Sequence, residues 1–96
     1  MTLTPRQRAT LKAQAHALEP VVTVGQHGAS DALIAEVDRS LTAHGLIKVK
    51  LAGADRQERE QLTATLCERT QAEAVQQVGR VLVLWRPRPD DDPIPA

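Results

Sequence analysis

Phenylalanine and tyrosine are absent from this 96-residue chain, and Trp85 is its one tryptophan. No aromatic platform is therefore available for stacking nucleic-acid bases, which excludes the recognition modes of RRM, OB-fold and cold-shock domains. Cysteine is almost absent too. Cys67 alone allows no internal disulfide, and it lacks a CxxC partner or neighbouring histidine that would activate it. It reads as a small buried or half-buried residue, and a lone thiol suits a reducing cytosol. No apolar run is long enough to cross a bilayer, and the first residues lack the apolar core of a signal peptide. A soluble cytoplasmic protein is expected.

Enzyme constellations are equally thin. His16, His27 and His44 show no HxxxH, HExxH or mixed Cys/His spacing, so no metal site is expected. Ser30 and Ser40 are the only serines, and neither sits in a nucleophile elbow or beside a paired base. GxxxxGK[ST] and GxGxxG are both missing, which removes the nucleotide-hydrolase and dinucleotide readings. The chain is read as a binding protein without cofactor, not as an enzyme.

Formal net charge is zero, with 12 basic and 12 acidic residues. That balance hides an asymmetry. Asp90, Asp91 and Asp92 stand among Pro87, Pro89, Pro93 and Pro95, a composition expected to stay disordered. Residues 1–89 carry 12 basic against 9 acidic side chains, a net of +3. The expected division is a folded domain over 1–87 and a Pro/Asp-rich tail over 88–96, with a mildly basic folded part.

In chain order, Thr4-Pro5-Arg6-Gln7 reads as a helix start, with Thr as N-cap, Pro at the first position and Gln completing a capping box. Leu11, Ala15 and Leu18 follow at i, i+4 and i+7 as its apolar side, and Pro20 closes the segment. Arg8, Lys12 and His16 recur every fourth residue on another face, either a solvated polar face or a basic stripe. Val21–Val24 has strand character and runs into Gly25-Gln26-His27-Gly28. A second helix is expected from about Ser30 to His44, with Gly45 ending it and Leu33, Ile34, Val37 and Leu41 as its stripe.

Leu46–Leu51 alternates with period two, so Ile47, Val49 and Leu51 face one side and Lys48 and Lys50 the other. Those lysines could form a positive patch, face solvent without a role, or protect an edge strand. Asp55 and Glu58 open a third helix through about Arg69, with Leu62 and Leu66 in the core. Ala74–Val78 and Val81–Arg86 flank Gly79-Arg80 and read as a hairpin. The last run is apolar on both faces and suits a central strand covered on both sides.

The element order is αβαβαββ. Helical crossovers imply parallel pairing among strands one, two and three, with strand four antiparallel to its hairpin partner. As the most hydrophobic strand, strand four is expected to insert between strands two and three, giving a four-stranded mixed α/β sheet of order 1-2-4-3.

Within that plan the GxxG turn is the candidate site. Glycines allow φ > 0 and close approach to the main chain, and the N–H groups of a helix start lie just behind them. Such a turn can bind an anion, although most GxxG pairs are only tight turns. Asp31 in the first helical turn opposes an anion there. Without aromatics, a nucleic-acid mode would rest on backbone amides and basic side chains contacting phosphates.

The blocks Leu3–Arg8, Leu18–Val22, Gly25–Gly28, Leu46–Lys50 and Gly79–Pro87 together resemble the CRM-domain (chloroplast RNA splicing and ribosome maturation) family. The resemblance is narrowest to its stand-alone bacterial members of the YhbY type, and covers residues 3 to 87. It implies an RNA-binding domain with a KH-like GxxG loop, akin to the C-terminal domain of translation initiation factor three. It further implies association with precursor large-subunit ribosomal RNA, assistance in ribosome assembly, and ribosomal proteins as further partners.

Carried over by position, Gly25 and Gly28 would be the loop's structural glycines and Gln26 and His27 its exposed residues. Arg6, Arg8 and Lys12, with Lys48 and Lys50, would add phosphate contacts. The family's loop often holds Lys or Arg between the glycines, so Gln26 and His27 imply weaker or pH-sensitive binding. Gln71 stands where many relatives have Gly, so the end of helix three is expected to differ in shape. The alternative reading is a protein-interaction module docking on a ribosomal protein or assembly GTPase. A monomer is expected, since nothing resembles a coiled coil or a large exposed apolar stripe.

Overall fold

A computed structural model describes residues 3–25, 27–53 and 55–88. Gln26, and the tail from residue 89 onward, lie outside the described residues. Helix α1 (Pro5–Ala15) begins with the expected capping box: Thr4 Oγ1 accepts from the Gln7 N–H at 3.1 Å, and Gln7 Oε1 accepts from the Thr4 N–H at 3.0 Å. Then follow β1 (Pro20–Val24), α2 (Asp31–His44), β2 (Leu46–Leu51), α3 (Arg56–Thr70), β3 (Glu73–Val78) and β4 (Val81–Trp85). Ser30 caps α2 by accepting from the Leu33 N–H, and Asp55 caps α3 by accepting from the Glu58 N–H.

The four strands form one sheet in the order β1-β2-β4-β3, as expected. One detail of pairing differs. β1 and β2 pair in parallel, but β3 pairs only with β4, which separates it from β2 and runs antiparallel to both. The hairpin connection holds β3 beside β4, and insertion of β4 leaves β3 no edge of β2 to reach.

Two cores form, one on each side of the sheet. On one side α2 and α3 cover Val22, Val24, Ile47, Val49, Leu51, Leu82 and Leu84 with Ile34, Val37, Leu41 and Leu66. On the other, α1 lies across β2, β4 and β3 and brings Leu3, Leu11 and Ala15 against Val75, Val83 and Trp85. β4 is thus buried on both faces, with Leu82 and Leu84 turned one way and Val83 and Trp85 the other. Leu18 does not join the core. α1 ends at Ala15, so the helical spacing that would have carried Leu18 inward stops short, and Leu18 is 36% exposed.

Two arginines fasten the helices to the sheet. A register shift between Ala74 and Gln76 bulges β3 at Val75. Arg8 Nη1 donates to the Ala74 and Val75 carbonyls at 2.6 and 2.9 Å, tying α1 to that bulge. Beyond β4, Arg86 Nη1 donates to Asp38 Oδ1 at 2.6 Å and to the Thr70 carbonyl at 2.9 Å. Its Nη2 donates to the Asp38 carbonyl and to Thr42 Oγ1, so one side chain joins β4, α2 and the end of α3.

The end of α3 keeps a left-handed shape despite carrying no glycine. Gln71 adopts φ +57° and its N–H donates to the Cys67 carbonyl. A side chain thus occupies a conformation that glycine takes more readily.

Candidate nucleic-acid interface

The GxxG loop leaves the C-terminal end of β1 and enters α2. Gly28 sits at φ +63°, where a β-carbon is disfavoured, and its N–H donates to the Gly25 carbonyl at 3.1 Å. That amide closes the turn and does not face outward. Ser30 N–H likewise donates to the Gly28 carbonyl at 3.0 Å. His27 is exposed at the tip. Asp31, which would oppose an anion, is itself paired with Arg69 Nη2 at 3.3 Å, a contact that joins α2 to α3 and offsets part of its charge.

Of the two β2 lysines, Lys50 belongs to the loop's end of the sheet, while Lys48 lies mid-sheet opposite Pro20 and Val83. Lys50 is the register partner of Thr23, two residues before Gly25, and is exposed. Because β2 is flanked by β1 and β4, the lysines do not protect an edge. Lys48, half-buried, lines a groove of about 250 Å³ with Lys12 of α1 and the capping residue His16, over the apolar side chains of Val78, Val81 and Val83. The sheet face carrying Lys48 and Lys50 is the one α1 covers only in part.

The other basic positions divide. Arg8 turns inward to the β3 bulge, so its guanidinium is engaged in holding α1. Arg6 is exposed, and stands about 200° around the helix from Arg8, away from the groove. Arg80, not among the expected contacts, is exposed in the β3–β4 turn, and its carbonyl accepts from the Leu51 N–H at 2.6 Å. It therefore stands at the end of β2 that carries Lys50. The signal was available: a basic residue in a two-residue hairpin turn, combined with order 1-2-4-3, puts the turn beside the end of β2.

Charge is distributed unevenly across the sheet. α1 and β2 carry Arg6, Arg8, Lys12, Lys48 and Lys50 with no acidic residue. α2 and α3 carry Asp31, Glu36, Asp38, Glu58, Glu60 and Glu68 against Arg39, Arg56, Arg59 and Arg69. Net charge near zero thus conceals a basic side and a mixed, slightly acidic side.

On the α3 side of the loop lies an open cleft of about 480 Å³, between Gly25, Gly28 and Ala29, the β2–α3 turn at Ala52 and Gly53, and one face of α3. Nothing in the sequence marked it, because it needs two loops brought side by side by parallel pairing of β1 and β2. Cys67 is no candidate nucleophile. Burial first, and then the Glu73 charge, raise its thiol pKa above the usual range, against an opposing backbone hydrogen bond at Ala74.

A small mixed sheet with a basic side and a GxxG turn ahead of a helix defines a compact α/β domain. The CRS1 / YhbY (CRM) domain model matches residues 3–86, and the chain belongs to that family. It is 43% identical over 86 residues to a Haemophilus influenzae protein named "RNA-binding protein", covering 90% of this chain and 87% of that one. It is 38% identical over 89 residues to the "Probable RNA-binding protein PA4753" of Pseudomonas aeruginosa, covering 93% and 86%. The solution structure of SAV1595 from Staphylococcus aureus, a candidate RNA-binding protein, matches with TM-score 0.84 at 30% identity over 98% of both chains.

Proposed function

We propose that this protein binds RNA, and that it assists assembly of the large ribosomal subunit by holding the phosphate backbone of precursor ribosomal RNA. The carrying observation is the register that sets Lys50 beside Thr23, and so joins the acid-free α1/β2 side to the GxxG loop. In this reading the backbone runs over Lys12, Lys48 and Lys50, with Arg80 at its flank, and reaches the loop at the exposed His27. Phosphate contacts of this kind fix position without reading sequence. The names of the relatives support RNA as the ligand class, and the resemblance to stand-alone bacterial members supports the ribosomal role. The protein would then work as a cytoplasmic monomer on ribosome precursors, with no catalytic step of its own.

The test is binding to precursor large-subunit ribosomal RNA across a salt series, for wild type, His27→Asp and Lys48→Glu/Lys50→Glu. Wild-type affinity is expected to fall steeply with salt, with a log-log slope of roughly 0.7 to 0.9 per phosphate neutralised, and both variants to bind more weakly. Equal binding by folded variants would move the contact elsewhere.

A second reading has its own observation. At the opposite end of the sheet, Leu18 and Val21 are 36% and 46% exposed beside Leu46 and Ile47, an apolar groove suited to a ribosomal protein or assembly GTPase. Binding there would vary little with salt and would leave the lysine variants unaffected.

A further inference from the structure

The cleft beside the GxxG loop is chemically unlike the lysine surface on the other side of that loop. Its wall is a single stripe of α3 in which Glu58, Gln61, Leu62 and Thr65 recur at i, i+3, i+4 and i+7. Glu58 donates its backbone N–H to Asp55 Oδ1, and its carboxylate makes no reciprocal capping-box bond to the Asp55 N–H. Among the described residues no hydrogen bond or ion pair engages the side chains of Glu58, Gln61 or Thr65. Apolar surface comes from Leu62 and Ala29, and bare main chain from Gly25, Gly28 and Gly53. Gly28 lies close to the floor: a β-carbon there would stand 3.8 Å from Leu62 Cδ2.

Three hydrogen-bonding side chains unused by the fold, set beside the apolar surface of Leu62 and Ala29, suit an apolar-faced ligand with polar edges. The volume of about 480 Å³ is within the range of about 300–1,000 Å³ typical of small-ligand sites. Phosphate is excluded as the occupant, because the Glu58 carboxylate would repel it. A nucleobase is neutral, and its edge can offer that carboxylate donors.

We infer that this cleft is a base pocket for one unpaired guanine, whose N1–H and N2 amino group donate to the two oxygens of Glu58. The base would lie on Leu62, with Gln61 and Thr65 within the same stripe to meet its remaining polar atoms. Guanine is singled out by donor pattern. It alone of the four bases presents two adjacent donors on its Watson–Crick edge, matching a carboxylate held in bidentate fashion. Adenine and cytosine set a ring-nitrogen acceptor beside their amino group, and uracil flanks its N3–H with two carbonyls. The strand's phosphates stay on the basic side while one base crosses the glycine loop, which has no side chain at Gly25 or Gly28 to block it.

This assignment rests on the RNA-binding reading above, and the experiment separates the two. Full-length protein is titrated into fluorescently labelled uridine oligomers carrying one central guanosine, adenosine, cytidine or inosine, at several salt concentrations. Guanosine is expected to bind roughly 10-fold more tightly than the others, including inosine, which lacks only the N2 amino group. Glu58→Gln, with melting temperature unchanged, should erase that preference while keeping the salt slope. Salt-dependent binding of all four oligomers with equal affinity overturns the base pocket and leaves the RNA reading standing. A guanosine preference that survives in Glu58→Gln also overturns the assignment. Failure of wild type to bind any oligomer or the precursor ribosomal RNA removes both.

Discussion

The two sides of the sheet are built from the same strands but to different ends. On the α2/α3 side, Val24, Val37, Leu41, Val49, Leu51, Leu66, Leu82 and Leu84 are all 0% exposed. On the α1 side one short helix covers part of the sheet, and Lys48, Lys50 and the 60% exposed Val78 complete it. β2 shows the division residue by residue: Ile47, Val49 and Leu51 point into the closed core, while Lys48 and Lys50 point out of it. Two helices can close a sheet face of this width; one cannot. The second helix's place is where charge becomes accessible, so the closed core lies on one side and the exposed lysines on the other.

The largest test of this contrast is Leu66→Ala beside Leu11→Ala. Emptying the closed core at Leu66 should cost about 2–5 kcal/mol, and Leu11 in the smaller cluster should fall at the low end, near 2 kcal/mol. Urea unfolding measures both, and a Leu11 cost equal to that of Leu66 would break the contrast. The arginine fasteners come next. Arg86→Ala should cost about 2–3 kcal/mol, since it strips charged hydrogen bonds from Asp38, Thr42 and Thr70 together. Arg8→Ala, which leaves two bulge carbonyls without that donor, should cost about 1–2 kcal/mol and loosen α1 first, seen as faster amide exchange there.

Smaller effects sharpen the picture. Gln71→Gly should raise stability by about 0.5 kcal/mol, because relief of the left-handed strain exceeds the added freedom of the unfolded chain. Lys48→Glu/Lys50→Glu should move stability by less than about 0.5 kcal/mol and yet lower the RNA salt slope by roughly 1.4 to 1.8, if two phosphate contacts are lost. Least of all is the pH effect of Cys67. Its folded thiol holds the proton more tightly than the unfolded one, so its contribution is complete below pH ~8.5 and declines as pH rises toward the folded value. Cys67→Ala should flatten that alkaline decline in thermal melts.

Local chemistry was legible where it acts over three or four residues. Thr4, Pro5 and Gln7 announce α1, Ser30 and Gly45 bracket α2, and Asp55 opens α3, because a cap is satisfied within its own turn. Arg8 was not legible in the same way. Its spacing with Lys12 and His16 suggests a solvated or phosphate-binding stripe, but its guanidinium meets carbonyls 66 and 67 residues away, freed by a bulge that no local pattern announces. Arg80 was half legible, as an exposed turn residue whose neighbours depend on strand order.

By itself the sequence determined the elements, their order and the insertion of β4, since the hydrophobic run from Val81 to Trp85 needs cover on both faces. It also determined the GxxG turn, because glycine spacing and helix capping are short-range. Only the tertiary structure decided that Lys50 stands beside the loop's own strand, that Arg8 faces inward, and that Glu58, Gln61 and Thr65 share a cleft with Gly25 and Gly28. Those relations join residues far apart in the chain, and parallel pairing of β1 with β2 is what sets their two following loops side by side.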